Sequence, residues 1–363
     1  MIDRNEHSLR FPTRPGFGRA ALLLPVWLLA ACTIGPDYTA PKASDAPIAA
    51  QFANGGNGHS TDRQDKILWW TRYRDARLNA LVAEALAQNL QVKQALERVN
   101  AANAGVLQAG GARYPLTAIV SGASRKRDSD GIISTEATLG LSGNWLIDLT
   151  GRNRRNLETA LAQLDSSEAN VVARKLVVTG DLVRSYVRMR GNQAEAQVAR
   201  DTIAGIRKIA DITQRRFERG VGTALDVQLA QARLSEAQSQ LPLLLASFDT
   251  EANHIATLLA RPVQEIRTAL ARGAPQPMGR GAVAVGVPAD LIRNRYDIKA
   301  TERDLAATYA QIGVAQADLY PSLTLIGSIA ANSGPDTWNF GPQISLPIFN
   351  RTALRGRVAR LRS

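Results

Sequence analysis

The side chains able to do nucleophilic, proton-transfer or metal chemistry are few. One thiol, Cys32, and three imidazoles, His7, His59 and His254, stand in 363 residues. Their spacing supports no catalytic chemistry. The histidines are dispersed, with no metal-ligand spacing and no evident nucleophile–base pairing. Carboxylates such as Asp165, Glu168 and Asp181 are spread along helical stretches and read as solvated faces. Gly279-Arg280-Gly281 followed by Gly286 shares part of a nucleotide-loop spacing. No strand precedes it, so it reads as linker. The residues predict no enzyme, no cofactor and no bound metal.

Cys32 has a context of its own. Arg4, Arg10, Arg14 and Arg19 precede an apolar run from Ala20 to Leu29, and the small residues Ala30 and Ala31 follow. The run is too short to span a bilayer and has the layout of a secretory leader, residues 1–31. Leu29-Ala30-Ala31-Cys32 looks like a lipobox, in which a peptidase cuts before the cysteine and acyl chains are added to its thiol and amine. The competing reading is a buried core cysteine beside an ordinary leader. By resemblance to sorted lipoproteins, Thr33, which is not an aspartate, favours passage to the outer membrane.

The formal charge is +12. The leader's four arginines and two carboxylates, Asp3 and Glu6, account for two of these, leaving +10. Nucleic-acid binding is the sharp reading of that charge. The arginines, however, are scattered among Asp and Glu, and only Arg125-Lys126-Arg127 and Arg152 with Arg154-Arg155 are tight clusters. A solvated helical surface fits better, and no nucleic-acid partner is expected. Aromatics are only 5% and alanine abounds, which suits closely packed long helices. No other stretch approaches the roughly 18 apolar residues of a membrane helix. If this chain crosses a membrane, it does so with strands.

These segments must be positioned by the rest. Residues 32–77 are rich in Pro, Gly, Asn and Ser and read as an extended tether. A helical pattern runs from about Leu78 to Leu107, ending near Gly110-Gly111. Two alternating segments, about 116–124 and 136–148, are separated by a polar loop and have the length of barrel strands. From Gly151 a helical region of roughly 65 residues, nearly 100 Å if continuous, runs to about Arg219. Asn153 and Asn156 are possible caps, and a break is expected near Gly191-Asn192. Gly220-Val221-Gly222-Thr223 makes a sharp turn with a helix-start threonine. The returning helix carries a seam at Val227, Ala230, Leu234, Ala237, Leu241, Leu244, Phe248, Ile255 and Leu258, with coiled-coil spacing. Glu251 interrupts it, and Pro242 is expected to kink the helix.

The order then repeats. Helix, Tyr114-Pro115, hairpin and Gly151-Arg152 are matched by helix (297–317), Tyr320-Pro321, hairpin (322–332 with 339–348) and Asn350-Arg351. The chain divides as a first repeat, 78–271, with hairpin 116–148 and long helical hairpin 153–260, and a linker plus incomplete second repeat, 272–363. Four strands cannot close a transmembrane barrel of at least eight, so several copies must share one.

At this point the residues resemble a family, the TolC-like outer-membrane factors, in the NodT-type lipoprotein branch that serves resistance-nodulation-division (RND) efflux pumps. The matching stretches are Cys32-Thr33-Ile34-Gly35-Pro36-Asp37-Tyr38-Thr39-Ala40-Pro41, Trp69-Trp70 with Leu78 and Leu81, Trp145-Leu146-Ile147-Asp148-Leu149-Thr150-Gly151-Arg152, Arg216-Phe217 with Gly220 and Asp226, and Asp290-Leu291-Ile292 with Arg295-Tyr296-Asp297-Ile298. Tyr296 stands where the family usually has proline. The resemblance implies a mixed α and β fold of mainly long helices. A periplasmic coiled-coil barrel joins four membrane strands per protomer, and three protomers make a twelve-stranded barrel. It implies a passive exit duct for drugs or other small molecules, with outer-membrane lipid, a periplasmic membrane-fusion adaptor and an inner-membrane RND pump as partners. It also implies that the tip Gly220, Val221, Gly222, Thr223 and Asp226 docks the adaptor, where the residues alone read as an αα-turn. Trp145 reads as barrel core or as an interfacial belt residue. The repeat leads one to expect a second long hairpin of roughly a hundred residues after Arg351. Two alternatives therefore stand beside the duct: a pore-less lipid-anchored coiled-coil tether, and a non-functional truncated product.

Overall fold

A computed structural model describes residues 33–41, 68–127, 129–279, 292–332 and 335–363. The leader, the lipobox with Cys32, and most of the nucleotide-like glycine segment lie outside the described residues. The helices are α1 (Ala76–Gln88), α2 (Leu90–Gly111), α3 (Arg152–Glu218), α4 (Ala224–Leu259), α5 (Val263–Leu270), α6 (Tyr296–Ala317) and α7 (Arg351–Arg362). The strands are β1 (Leu116–Arg127), β2 (Ile133–Ile147), β3 (Ser322–Asn332) and β4 (Thr337–Ser345). They fall into two compact units, one of residues 1–39, 105–162 and 305–363, the other of 40–104 and 163–304. No helix among the described residues is long and apolar enough to cross a membrane.

The first unit holds one antiparallel sheet of order β1-β2-β3-β4. The two hairpins are where the alternating segments placed them, and β2 pairs with β3 to join them. The second unit holds the main apolar core. Leu78, Val82 and Ala85 of α1, Leu182, Tyr186 and Met189 of α3, Ile255 and Leu259 of α4, and Ile266 and Leu270 of α5 are almost wholly buried together. Tyr186 donates its hydroxyl to Asp75 (2.8 Å), whose other carboxylate oxygen caps α1 at the Arg77 and Leu78 amides. Burial, and then the bond to Asp75, raise the Tyr186 pKa above its ordinary value.

Along α3, Leu182, Met189, Ala196, Ile203 and Ala210 are all buried. They recur every seven residues, the repeat of a left-handed coiled coil. On α4 the seam read from the sequence is the least exposed stripe. Val227, Ile255 and Leu258 are buried, and Ala230 through Phe248 are half-buried. The contacts Ser185–His254 (2.7 Å) and Arg188–Glu251 (3.8 Å) set the antiparallel register of the two helices.

Several expectations are corrected. The helix from Leu78 to Leu107 is two helices, α1 and α2, parted at Asn89. The Asn89 side chain accepts from the Gln91 and Val92 amides and donates to the Leu258 carbonyl (2.8 Å), so it caps α2 and ties it to α4. No break occurs at Gly191-Asn192, because tertiary bonds hold both flanks. Arg190 donates to the Arg272 carbonyl (2.9 Å), and Gln193 to that of Leu270 (2.8 Å). Pro242, by contrast, stands inside α4 where the sequence placed it. The tether does not extend to residue 77, since Trp69–Tyr73 is already a 3-10 turn and α1 starts at Ala76.

The burial contrast gives a stability test. Leu259→Ala, at a fully buried site, should cost about 2–5 kcal/mol. Leu243→Ala, on the 63% exposed flank of the same helix, should change stability by less than about 0.5 kcal/mol. Chemical denaturation of the two variants measures both.

Candidate functional site

Residues paired across strands share a face, and successive residues alternate. The register therefore places Ile119, Leu141, Ile329 and Trp338 in one row across the sheet. The neighbouring rows on that face hold Leu139, Trp145, Ile147, Leu323, Leu325, Phe340, Pro342 and Ile344. The opposite face carries rows such as Ala118, Ser142, Ser328 and Asn339, with Thr138 hydrogen-bonded to Asn332 (2.9 Å). One face suits hydrocarbon and the other water. The large side chains of the apolar face are exposed, Ile119 and Trp338 at 79% each, which marks a surface made for lipid or a partner. Trp145 lies on that face, and its indole N–H donates to the Arg113 carbonyl (3.0 Å) where the helices take over. An apolar body with one tied polar tip is the chemistry of an interfacial residue.

The junction between sheet and helices is built from charges. Asp148 accepts from the amides of Asn153 and Arg154 (both 3.1 Å) and so caps α3. The expected caps at Asn153 and Asn156 are thus corrected; the Asn153 side chain donates instead to the Ala112 carbonyl. Asp318, at the end of α6, binds Arg152 (2.7 Å) and Arg357 (3.1 Å). One carboxylate thereby holds the helices that follow both hairpins.

The segment directly after Cys32 is clasped to the same junction. Arg155, with 4% of its side chain exposed, binds Asp37 (2.7 Å), Glu158 (2.8 Å) and the carbonyls of Ile34 and Gly35. Burial alone would lower the Arg155 pKa, but the bonds to Asp37 and Glu158 hold it above its ordinary value. Thr33 accepts from Arg154 (2.9 Å), and the Ile34 amide donates to the Thr150 carbonyl. Gly35 has φ +106°, and a Cβ there would stand 2.4 Å from Gly313 Cα, so only glycine fits. Tyr38 packs edge-on against Tyr309.

The tip is built as the sequence suggested. Gly220, at φ +76°, ends α3 with the Gly220 amide bonded to the Phe217 carbonyl and the Val221 amide to that of Arg216, the Schellman arrangement. Thr223 and Asp226 then form a reciprocal capping box that starts α4. The hydrogen bonds from Thr223 hold the Asp226 carboxyl below its ordinary pKa. Val221 is exposed between these two caps, in a fixed turn.

Sequence reasoning missed the Arg155 clasp, the half-buried Tyr186–Asp75 bond and the Ser185–His254 pair. Arg155 and Asp37 both sat in singled-out stretches, but no local signal joins residues 118 positions apart. The described residues include no cluster of His, Cys, Asp and Glu able to hold a metal.

A two-faced antiparallel sheet in one unit and a long coiled-coil hairpin in the other are the two parts that define the class of outer-membrane channels with a helical extension. The sequence pattern of the outer membrane efflux protein family matches residues 81–261 and 287–362, and the chain belongs to that family. It is 40% identical to nodulation protein T of Rhizobium leguminosarum bv. viciae, over 94% of this chain and 72% of that protein. It is 29% identical to the toluene efflux pump outer membrane protein TtgI of Pseudomonas putida, over 96% and 76%. The outer-membrane channel OprN superposes with a TM-score of 0.82 at 30% identity, over 91% of this chain and 77% of that one. The Campylobacter jejuni CmeC outer membrane channel, at 20% identity and a TM-score of 0.81, shares the fold. The chain is a TolC-like outer-membrane factor of the NodT type and an efflux channel component.

Two outcomes test the clasp and the tip. Arg155→Met should weaken docking of residues 33–38 by about 1.5–3 kcal/mol, the worth of hydrogen bonds to a charged group, and open that segment to proteolysis. Arg155→Lys should not rescue it, because an ammonium lacks the fork. At the tip, the lowered Asp226 pKa makes cap stability complete above the ordinary carboxylate range. That stability is lost only as pH falls through the lowered value. Amide-exchange protection at Val227, corrected for intrinsic rates, should therefore hold at neutral pH and fall only in acid. Asp226→Asn should lower it at neutral pH and remove its fall in acid.

Proposed function

We propose that this chain works as the passive exit duct of a tripartite RND efflux system, carrying drugs or other small molecules through a barrel shared by three copies. The observation that carries this reading is the four-stranded sheet with one apolar face, one polar face and two outer strands, β1 and β4, that are unpaired on their outer sides among the described residues. Such edges are intolerable in hydrocarbon unless another strand pairs with them. Three copies supply twelve strands, above the minimum of eight. A pore-less tether would leave the apolar face without a purpose. An unboiled sample in mild detergent should run as a trimer, and a persistent monomer would sink the shared barrel.

The same reading gives Cys32 and the tip their roles. Cys32 carries acyl chains in the membrane, and the clasped segment 33–38 ties them to the junction. A single acyl chain binds only marginally, so modification of both thiol and amine suits a stable anchor. Cys32→Ser should abolish acyl labelling and leave the leader uncleaved at this site; labelling that persists refutes the role. Residues Gly220, Val221, Gly222, Thr223 and Asp226 form the adaptor-docking tip. A photo-crosslinker at Val221 should capture a co-expressed periplasmic adaptor, and one at Leu243 should capture far less. Equal capture at both positions would contradict tip docking.

A further inference from the structure

The basic cluster Arg125-Lys126-Arg127 has no part in the duct, the anchor or the tip. The register gives it a place. Ile119 lies on the apolar face, so Arg125 and Arg127, six and eight residues further along β1, lie on that same face, opposite Thr135 and Ile133. Both side chains are exposed. Among the described residues, no ion pair joins either of them to Asp130, the carboxylate of the β1–β2 turn. Among the described residues, the two arginines thus project from the apolar face of the sheet with no protein partner.

Their depth decides what they meet. On β2 the apolar face runs from Ile147 to Ala137, ten steps along the strand. At about 3.4 Å per step and a tilt of about 35–45°, that is roughly 24–28 Å of height, the thickness of the apolar band. Thr135 is two steps further, so Arg125 stands just past the hydrocarbon and Arg127 beyond it. The ends of α2, α3, α6 and α7 nearest the strands in sequence join the other end of the sheet, so this is the end of the hairpin turns. A guanidinium there faces lipid headgroups, and its planar fork matches phosphate oxygens.

We propose that Arg125 and Arg127 form a binding site for the phosphate of an anionic lipid in the leaflet at the hairpin end of the sheet. The two side chains sit about 7 Å apart along the strand, close enough for one diphosphorylated headgroup or two adjacent monophosphates. The site rests on the membrane placement of the sheet, and the test separates the two.

The full chain is reconstituted in phosphatidylcholine vesicles containing either diphosphoryl lipid A or phosphatidylglycerol, and lipid retained after extraction is counted by native mass spectrometry. Protease protection of residues 116–147 reports insertion independently. Wild type should insert and retain at least one of the phosphate lipids in preference to phosphatidylcholine. Retention of lipid A alone identifies a glycolipid phosphate, and retention of both identifies any lipid phosphate. Arg125→Gln with Arg127→Gln should lower retention about tenfold. Arg174→Gln with Arg207→Gln, the same charge change on exposed positions of α3, should match wild type. Arg125→Lys with Arg127→Lys keeps the charge and guards against misfolding of the glutamine variant; it should retain lipid at an intermediate level. Insertion with no preference for phosphate lipid, or retention by the inserted glutamine variant equal to wild type, overturns the site. Failure of wild type to insert would instead refute the membrane placement, and the site with it.

Discussion

In hydrocarbon every backbone N–H and C=O must be paired, because each orphan costs several kcal/mol. The rest of this molecule depends on that accounting. The strands settle most of it by pairing in the order β1-β2-β3-β4, leaving, among the described residues, the two outer edges. Between two solvents a strand must alternate, and the rows from Ile119 to Trp338 and from Ala118 to Asn339 do so across all four strands. The junction takes over where the sheet ends. Asp148 caps α3, and Asp318 holds Arg152 and Arg357. The chain thus passes from strand to helix with its orphan amides met by a side chain rather than by water.

That two-solvent requirement is also why the hairpins were legible. Period-two alternation over about ten residues, entered by Tyr114-Pro115 and Tyr320-Pro321, is a strong local signal. The pairing of β2 with β3 was not legible, since Leu141 and Ile329 are 188 positions apart and nothing local joins them. Helix limits failed where tertiary bonds override propensity. Asn89 looked like an ordinary helical residue until the Leu258 carbonyl gave its side chain a partner. Gly191-Asn192 looked like a break until Arg190 and Gln193 were tied to residues 270–272. The heptad on α3 escaped notice for a different reason. Ala196 and Ala210 are buried, but alanine is so common here that its spacing carries little information.

The candidate sites divide along the same line. The tip is legible because its chemistry is local. A glycine at positive φ and a Thr-x-x-Asp box fall within seven residues, and each has a sequence signature. The clasp on residues 33–38 is not. Its buried arginine was read as part of a basic cluster, and a buried arginine differs from a solvated one only in partners that the fold supplies. Arg155 could be sunk because Asp37, Glu158 and two carbonyls met its donors. Without them the desolvation would have been prohibitive.

The distribution of burial along the helical hairpin completes the argument. Near the main core, Leu182, Met189, Ile255 and Leu259 are almost wholly enclosed. Toward the tip, α3 buries only Ala196, Ile203 and Ala210, and on α4 the seam residues Ala230, Leu234, Ala237, Leu241, Leu244 and Phe248 are half-covered. A pair of helices joined by small residues buries little area per residue, so this part has less hydrophobic stabilisation than the core. Local opening should therefore be easiest near the tip. The Schellman bonds and the capping box stand where that fraying would begin, and they fix the turn without enclosing it. The tip is thus conformationally defined yet exposed, with Val221 presented on a turn of set geometry. A rigid core, an adaptable shaft and a capped end follow from where the large apolar side chains are placed and where alanine replaces them.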